Sequence, residues 1–468
     1  MSDDCSNYQR NIFYLKKLPY LIYDIWRTGR REQSAIAARQ HARLEDLARF
    51  AKKHSLFYKN HYRDRGYLQP VTKHDLMANF DDWVTDPEVN IKSVEAFLKE
   101  ERHVGSLYLD RYAVFTTSGV TGKRGIFIHD ANALGIYTGL GIVRNSLGLI
   151  SPGYIFSAMA GGGRVAVVVA TGGHFAGIAA TEFARRSNPE LSKKVRAFSV
   201  MIPLPIMVKE LNDFQPAILF GYPTALLLLA YEQRAGRLAL HPVEVVTGGE
   251  WLAPSARRQI QQAFQCRVRD VYAASEFLGI AFECWHGWLH VNADWVILEP
   301  VDESYQPVPA GKAPSTVLLT NLAYRVQPII RYDLGDCITL RPDPCPCGSH
   351  LPAIRIEGRR DEILFLQEPG GGKVPVLPMA IATVVEETPG VQRFQVIQTA
   401  PSILQIRLEV MPGTDDGQVW ESVVWRLHEY LAAQGLSSTG IEKASELPMR
   451  DRVSGKFRQV WADISRER

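Results

Sequence analysis

Apolar residues recur at helical intervals near the start of the chain and in short runs further on. Between residues 33 and 65, apolar positions such as Ile36 and Leu44 follow the spacing of a helix. Residues 71–83 combine a polar start at Thr72 with an apolar stripe, which predicts a second helix. After this point the apolar runs shorten to the length of strands, so the fold changes character within the first quarter of the chain.

Predicted strands and helices alternate through the middle of the sequence. The strands are expected at 112–116, 125–129, 165–170, 218–220, 243–247, 267–272, 296–299 and 316–320, with helices at 208–214 and 224–235. Such alternation is typical of mixed sheets with helices on their faces. The tail has strand-like runs at 363–366, 393–399 and 403–410 and helix-like runs at 380–387 and 420–433, which predicts a small α+β unit of about 105 residues.

Size and composition describe a soluble enzyme of ordinary kind. A chain of 468 residues is long enough for two or three domains, and 46% hydrophobic and 22% charged residues are usual values. A net charge of +3 argues against nucleic acid as the main partner. The start of the chain lacks the pattern of a signal peptide, and the most apolar stretch, 217–230, is too short and too broken to cross a bilayer. We therefore expect a cytoplasmic protein whose six cysteines are reduced thiols or metal ligands.

Residues 12–26 mix aromatic and aliphatic side chains with Lys16 and Lys17, and Arg27 follows. Such a pattern is typical of a helix on a membrane surface, or of a helix packed on the domain with a solvated basic face. Because Pro19 interrupts the periodicity, we favour the packed helix and expect no stable membrane insertion.

A loop rich in threonine, serine and glycine, residues 116–123, lies between two predicted strands. Its glycines allow a backbone to approach an anion closely, and its hydroxyls add donors, so the loop can cradle the phosphates of ATP. It is not a Walker loop, because only two residues separate Gly119 from Gly122 and Arg124 stands where a hydroxyl is required. By itself the loop is more commonly interpreted as a hydroxyl-rich hairpin turn.

Five further short blocks follow this loop in a fixed order. They are Thr247–Glu250, Asp270–Glu276, Arg331–Asp336, Gly358–Asp361 and Ser454–Lys456. As a set, the six blocks resemble the adenylate-forming superfamily of acyl/aryl-CoA synthetases, peptide-synthetase adenylation domains and luciferases. The intact Arg-Tyr-Asp-Leu-Gly-Asp block most closely resembles the phenylacetate–CoA ligase-like branch.

The resemblance implies a role for each block. Triphosphate binding would fall to Thr117, Ser118, Gly119, Thr121 and Gly122, with Thr121 also counted as catalytic. The adenine site would comprise Gly248, Gly249, Glu250, Asp270 and Tyr272. Asp336 would hold the ribose hydroxyls, with Asp333 as the alternative, and Glu276 would approach Mg²⁺. Arg359 would contact the nucleotide, Asp361 would be the hinge, and Lys456 would stabilise the adenylation transition state.

The implied fold is an α/β large N-terminal region of mixed β-sheets flanked by helices, residues 1–360, followed by a small mobile C-terminal α+β lid, residues 361–468. The implied reaction is activation of a carboxylic acid with ATP and transfer of the acyl group to coenzyme A. A carrier protein, an amine or a small cofactor hydroxyl that receives AMP remain alternative acceptors, and a homodimer remains an open alternative for the assembly. The turns beside the adenine and phosphate blocks supply an apolar acid pocket from Phe220, Gly221, Tyr222, Ala273 and Ala274.

Four soft ligands form a separate set outside these blocks. Cys284, His290, Cys345 and Cys347 have the right number and chemistry for a closed tetrahedral Zn²⁺ site, which would be structural. His286 is an alternative ligand, less favoured because one residue separates it from Cys284. The remaining alternative is four ordinary reduced or buried residues.

Overall fold

The structure is a computed structural model that describes residues 18–65, 69–117, 124–147, 162–312, 314–356, 364–368, 371–376, 378–449 and 458–463. Its helices up to residue 356 are α1 (18–28), α2 (Gln33–His54), α3 (Leu56–Arg65), α4 (Lys73–Ala78), α5 (Phe80–Trp83), α6 (Ile91–Leu98), α7 (Ala131–Leu140), α8 (Ala176–Ser187), α9 (Pro189–Lys194), α10 (Leu204–Phe214), α11 (Pro223–Arg234) and α12 (Pro254–Phe264). Within the described residues, no helix is both long enough and apolar enough to cross a membrane.

The strands of the same region are short and mostly buried. They are β1 (Ala113–Thr116), β2 (Ile126–His129), β3 (Val165–Val169), β4 (Val195–Ser199), β5 (Ile218–Gly221), β6 (Glu244–Thr247), β7 (Arg267–Ala274), β8 (Phe277–Glu283), β9 (Leu289–Val291), β10 (Val296–Val301), β11 (Thr316–Asn321), β12 (Ile329–Asp333), β13 (Ile338–Leu340) and β14 (Ala353–Ile356).

Nine of these strands form one sheet in the order β13-β14-β9-β8-β7-β6-β5-β3-β4. The strands from β4 to β7 run parallel, and those from β7 to β13 run antiparallel. Helices connect the parallel strands, as a parallel connection requires, whereas β7, β8 and β9 follow one another through short turns. The sheet therefore has a parallel half and an antiparallel half that meet at β7.

Two smaller sheets complete this region. Strands β1 and β2 pair as an antiparallel hairpin, and β10, β11 and β12 form a three-stranded antiparallel sheet. The segment before α4 adds to the latter sheet, because Val71 forms a parallel bridge with Tyr332. This bridge corrects the prediction of one helix over 71–83: the chain is extended at residue 71, and two short helices follow. Thr72 is the predicted polar start, and it forms a capping box with Asp75.

The last hundred residues form their own α+β unit. It contains β15 (Leu364–Gln367), β16 (Lys373–Val376), α13 (Pro378–Glu386), β17 (Val391–Ala400), β18 (Ile403–Val410), α14 (Asp416–Ala433), β19 (Gly440–Lys443) and β20 (Val460–Ala462). Four of its strands form a sheet in the order β19-β18-β17-β20. Its apolar residues join those around the parallel half of the large sheet in one core cluster, so the unit packs against that half.

The observed architecture confirms the predicted α/β class with a C-terminal α+β unit. The predicted helix over 33–65 ends and restarts at Ser55, whose backbone is extended and whose hydroxyl donates to the Asp82 carbonyl oxygen at 3.1 Å. Strand β4 and helices α8 and α12 were not predicted. The reason for β4 is visible in its burial: as an edge strand it buries only Phe198 fully, so it lacks the apolar run of its neighbours.

Candidate active site

Parallel strands β5, β6 and β7 end at a common edge of the large sheet. Register pairs Gly221 with Thr247 and Thr247 with Asp270 across the three strands. Loops that follow the carboxyl ends of parallel strands are the usual place for a ligand site in open α/β sheets. The residues predicted for the acid pocket and for adenine lie along this edge, so the topology brings the two sets together.

Close packing of glycines joins these two predicted sets. A Cβ atom at Gly221 would come within 2.8 Å of the Val168 carbonyl oxygen, so only glycine fits there. Gly249 has a φ of +82°, and a Cβ atom there would lie 2.9 Å from the ring of Tyr222. A Cβ at Gly248 would lie 3.5 Å from the ring of Phe220. The Gly-Gly turn therefore lies directly on the aromatic pair that follows β5.

Glu250, which is predicted for the adenine site, has a local partner at the start of α11. Its carboxylate accepts hydrogen bonds from the backbone N–H of Thr224 at 3.1 Å and from the Thr224 hydroxyl at 2.8 Å. Thr224 lies in the first turn of α11, where backbone N–H groups lack intrahelical acceptors. The described contact of Glu250 is thus that of a residue stabilising a helix N-terminus.

Asp270 is buried behind the edge rather than presented on its surface. The Thr247 hydroxyl donates to its Oδ1 at 2.7 Å, and the Asp270 N–H donates to Glu283 Oε2 at 2.6 Å. Burial raises the pKa of Asp270 to about 7, and the Glu283 carboxylate raises it further, while the Thr247 hydrogen bond opposes both effects. This side chain supports strands β6 and β7 from within.

Tyr272 and Asp336 are in direct contact. The Tyr272 hydroxyl donates to Asp336 Oδ2 at 2.7 Å, although the two residues lie 64 positions apart. Tyr272 is buried and Asp336 is half-buried. Tyr272 was predicted for the adenine ring and Asp336 for ribose, so residues from two separate sequence blocks lie side by side.

Asp333, the alternative to Asp336, has its carboxylate occupied. It accepts hydrogen bonds from the Thr316 hydroxyl at 2.5 Å, the Tyr305 hydroxyl at 3.0 Å and the Gly335 N–H at 3.0 Å. A carboxylate that already binds three donors from both oxygens has little capacity left for a ribose diol. The contacts favour Asp336 for that role.

Glu276 is buried in the turn between β7 and β8, next to a cation that sequence reasoning missed. The hydroxyl of Tyr332 donates to its carboxylate. Burial raises the pKa of Glu276, and the ammonium of Lys73 is the strongest influence that lowers it. Lys73 reaches this place because the Val71–Tyr332 bridge brings the start of α4 to strand β12.

Three hydrogen bonds fix the turn that carries Glu276. The Ser275 hydroxyl donates to the Thr116 carbonyl oxygen at 3.1 Å, and His129 Nε2–H donates to the Ser275 carbonyl oxygen at 2.9 Å. The Asn321 amide donates to the Glu276 carbonyl oxygen at 2.8 Å. Burial lowers the pKa of His129 to about 3, so this ring is neutral at physiological pH and keeps a single tautomer. The turn is therefore held in place by the hairpin of β1 and β2 and by β11.

The neck of the glycine loop is closed by a reciprocal pair of bonds. The Thr117 N–H donates to the Gly125 carbonyl oxygen, and the Gly125 N–H donates to the Thr117 hydroxyl, each at 3.0 Å. Ser118, Gly119, Thr121 and Gly122 lie outside the described residues, as do Arg359, Asp361 and Lys456. Of the loop, the structure thus gives the two ends, which lie beside the Ser275–Glu276 turn.

The chain segments that flank Lys456 converge on one buried glutamine. The Gln395 amide nitrogen donates to the carbonyl oxygens of Met449 at 2.9 Å and Arg458 at 2.8 Å. The Met449 N–H donates back to Gln395 Oε1 at 3.1 Å. Both ends of the segment are therefore attached to β17 in the C-terminal unit.

The four predicted soft ligands form a cluster at the other end of the large sheet. The ligand atoms of Cys284, His290, Cys345 and Cys347 all lie within 4.8 Å of one another. Cys284 Sγ is 3.8 Å from Cys345 Sγ, and Cys347 Sγ is 3.2 Å from His290 Nε2. A tetrahedron with zinc–sulfur bonds of about 2.3 Å has edges of about 3.8 Å, so the donor set fits that ion.

The orientation of His290 is fixed from behind. Its Nδ1–H donates to the Leu351 carbonyl oxygen at 3.0 Å, which leaves Nε2 facing the thiols. The alternative ligand His286 instead contributes its backbone N–H to Cys284 Sγ at 3.4 Å, and its ring is not part of the cluster. The geometry therefore selects His290 over His286.

Comparison with known proteins agrees with this architecture. No protein-family model matches the chain. A 2-hydroxyisobutyryl-CoA ligase, solved with 2-HIB-AMP and CoA in the thioesterification state, matches with a TM-score of 0.58 and 21% identity, over 93% of this chain and 92% of that one. The chain has the fold of the adenylate-forming enzymes.

Further comparisons give weaker or shorter matches. The same kind of ligase in its postadenylation state gives a TM-score of 0.50 and 19% identity, over 92% of this chain and 89% of that one. The protein CapK of Staphylococcus aureus is 28% identical over 171 residues, which is 35% of this chain and 36% of that protein. The chain thus matches only about a third of the length of this curated relative.

Proposed function

We propose that this protein uses ATP to convert a carboxylic acid to an acyl-adenylate and then transfers the acyl group to coenzyme A. One observation carries the proposal: Tyr272, Asp336 and the Ser275–Glu276 turn meet at the carboxyl edge of β7, beside the neck of the glycine loop. The adenylate-forming fold supports it, and the 2-hydroxyisobutyryl-CoA ligase has been solved with 2-HIB-AMP and CoA in that fold.

The contacts suggest how the nucleotide would be held. Asp336 keeps Oδ1 for the ribose hydroxyls while Oδ2 accepts from Tyr272. Gly248 and Gly249 let the base approach the backbone beside Tyr222. Glu276 would hold Mg²⁺, a hard ion that prefers carboxylate oxygens and would neutralise phosphate charge. Lys73, near Glu276, adds a second positive charge at this place.

The acid would occupy the space beside the Gly-Gly turn. Phe220 and Tyr222 supply aromatic surface there, and the small side chains of Ala273 and Ala274 leave room beside it. Gly221 lets the backbone between the two aromatic residues pack closely against β3. Such a lining fits an aromatic or apolar acid.

The C-terminal unit would act as the moving part. We place the boundary at residues 360 and 361, with Asp361 as the hinge, Arg359 against the nucleotide and Lys456 delivered to the α-phosphate during adenylation.

The Cys–His cluster would hold one Zn²⁺ ion. With four protein ligands the ion has no open position, so its contribution is structural: it would tie the turn after β8 to the loop before β14.

A pyrophosphate-release screen tests the proposed reaction. Purified protein is assayed with ATP, Mg²⁺ and a panel of aromatic, aliphatic and hydroxylated acids, with and without coenzyme A, and products are identified by mass spectrometry. We expect pyrophosphate release with an aromatic or apolar acid and a CoA thioester when coenzyme A is present. An acyl-adenylate without a thioester would redirect the acceptor to a carrier protein or an amine. AMP attached to a hydroxyl, or no release with any acid, would contradict the proposal.

A further inference from the structure

Arg124 is placed at the neck of the glycine loop by the bonds on either side of it. The Thr117–Gly125 pair closes the neck, and Arg124 is the residue immediately before Gly125. Its guanidinium carbon lies 5.2 Å from the ring centre of Phe175, and 37% of its side chain is exposed. A cation is thus held at the point where the loop returns to β2.

The guanidinium of Arg124 has donors that the protein does not use. Within the described residues, Nε and Nη2 are buried and make no hydrogen bond. His174 lies nearby. Burial lowers the pKa of His174 to about 4, with a further contribution from Arg124, so the arginine carries the positive charge here at neutral pH. An anion with several acceptor oxygens would satisfy the unused donors of the guanidinium.

The nearest anion comes from the C-terminal unit. Glu387 directly follows α13, and its Oε1 lies 3.6 Å from Arg124 Nη2, which is an ion-pair distance but too long for a good hydrogen bond. The main-chain oxygen of Glu387 is anchored by Arg426 at 2.6 Å. The carboxylate therefore offsets the charge of Arg124 without saturating its donors.

Gly173 leaves space for the Arg124–Glu387 pair because it has no side chain. A Cβ atom at Gly173 would come within 2.5 Å of Glu387 Oε1 and 2.8 Å of Arg124 Nη2. A larger residue at position 173 would therefore collide with both members. The contact joins three separate stretches of chain: the loop neck, the turn after β3 and the end of α13.

We infer that Arg124 binds the pyrophosphate part of ATP and that Glu387 competes with pyrophosphate for the same guanidinium. The inference rests on the proposed function, because it takes the C-terminal unit to move between two arrangements. In the arrangement seen here, the Glu387 carboxylate is paired with the Arg124 guanidinium. When the C-terminal unit has rotated away, oxygen atoms of the pyrophosphate bind the Arg124 guanidinium as a bidentate partner. Release of pyrophosphate and approach of Glu387 are therefore coupled, because both anions bind the same guanidinium.

The test measures binding of magnesium pyrophosphate to the full chain by titration calorimetry, without any acid or ATP. Arg124→Gln should weaken binding by about 10-fold or more, the size expected when a charged hydrogen-bond donor is lost. Arg124→Lys should weaken it less, because the charge remains while the planar fork is lost. Glu387→Gln should strengthen binding, since the competing carboxylate has been neutralised without a change of shape.

Glu421→Gln provides the matched control, because Glu421 is an exposed carboxylate on α14. It should bind pyrophosphate like the wild type, and circular dichroism should show that all variants are folded. Unchanged binding in Arg124→Gln, unchanged or weaker binding in Glu387→Gln, or no measurable binding by the wild type would overturn the inference.

The result is separable from that of the acid screen. If the pyrophosphate affinities shift as expected while no acid supports pyrophosphate release, the proposed acid activation fails and the Arg124–Glu387 competition remains. If a CoA thioester forms while both variants bind pyrophosphate like the wild type, the proposed function remains and this inference fails.

Discussion

The two halves of the nine-stranded sheet present their polar side chains in different ways. In the parallel half, strands β5, β6 and β7 end together, and Tyr222, the Gly-Gly turn and the Tyr272 side chain of β7 lie along one edge. In the antiparallel half, short connections fold back on themselves and bring four soft ligands within 4.8 Å of one another. The parallel half leaves hydrogen-bond acceptors available to a bound molecule. In the antiparallel half, the metal-binding sulfur and nitrogen atoms face each other.

The comparison teaches that proximity alone does not make a reactive site. The Cys–His cluster is the tighter group, yet a tetrahedral ion bound there would have no position left for a substrate. The nucleotide edge is looser, and among the described residues Asp336 binds Tyr272 through Oδ2. Substitutions of the cluster ligands should therefore change stability, and substitutions of the residues that face the nucleotide should change kinetics.

The largest effect is expected from Cys345→Ser. Loss of a buried thiol from the cluster should remove bound Zn²⁺ and lower the unfolding free energy by at least about 3 kcal/mol, or roughly 3 °C in Tm for a chain of 468 residues. Metal analysis and a thermal melt measure the two changes. Cys337→Ser is the control, because that thiol is half-buried and donates to the Ser315 carbonyl oxygen, a bond that serine can keep. Protein purified without chelators that contains no zinc would contradict the assignment.

Lys456→Ala should leave zinc content and Tm unchanged while slowing chemistry. Loss of a charge that acts only in the adenylation transition state should reduce acyl-adenylate formation about 10²–10³-fold. Pre-made acyl-adenylate should still transfer its acyl group to coenzyme A at a near-normal rate, and ATP should bind almost as before. The exposed Lys373→Ala is the control. An equal fall in both half-reactions would assign Lys456 a structural or shared role.

Asp336→Ala and Asp333→Ala should differ although both remove a carboxylate from the same block. Without Asp336, the apparent KM for ATP should rise about 10-fold while the KM for the acid changes little, because one charged acceptor for ribose is lost. Without Asp333, the hydroxyls of Thr316 and Tyr305 lose their acceptor, so Tm should fall instead. Steady-state kinetics and melts of both variants decide; a reversed pattern would make Asp333 the ribose ligand.

A pH-dependent effect is expected at Asp270, a buried carboxylate in the parallel half that supports strands rather than ligand. Its folded pKa of about 7 lies above the ordinary value of 3.8, so the folded chain holds a proton that the unfolded chain releases between these values. Its contribution to the unfolding free energy should therefore decrease as pH rises from about 4 to 7 and then level off. Asp270→Asn should remove this contribution, so the Tm difference between variant and wild type should grow in favour of the variant up to about pH 7. A difference independent of pH would show that Asp270 is ionised throughout.

The sequence predicted those parts of the molecule that depend on local pattern. Apolar runs located β5, β6 and β7 within one or two residues, and chemical type alone assembled Cys284, His290, Cys345 and Cys347. Short blocks likewise predicted Tyr272 and Asp336, which proved to be in contact.

No local sequence pattern predicted the contacts between distant segments. Lys73 approaches Glu276 only because the Val71–Tyr332 bridge returns the N-terminal segment to the centre of the molecule. His129 and Asn321 support the Ser275–Glu276 turn across separations of 146 and 45 residues. Glu250 was predicted for the nucleotide, but its bond to Thr224 depends on how α11 starts, which a four-residue block does not encode.

The long-range pairing of the N-terminal segment has a consequence for biosynthesis. Trp83 is fully buried, and its indole N–H donates to the carbonyl oxygen of Pro328, 245 residues later in the chain. At a translation rate of about 5–20 residues per second, this partner leaves the ribosome roughly 12–50 s after the tryptophan. During that interval the newly made helices α2 to α5 expose apolar surface that only later strands can cover. The protein should therefore depend on chaperone binding to its first hundred residues while the rest of the chain is made.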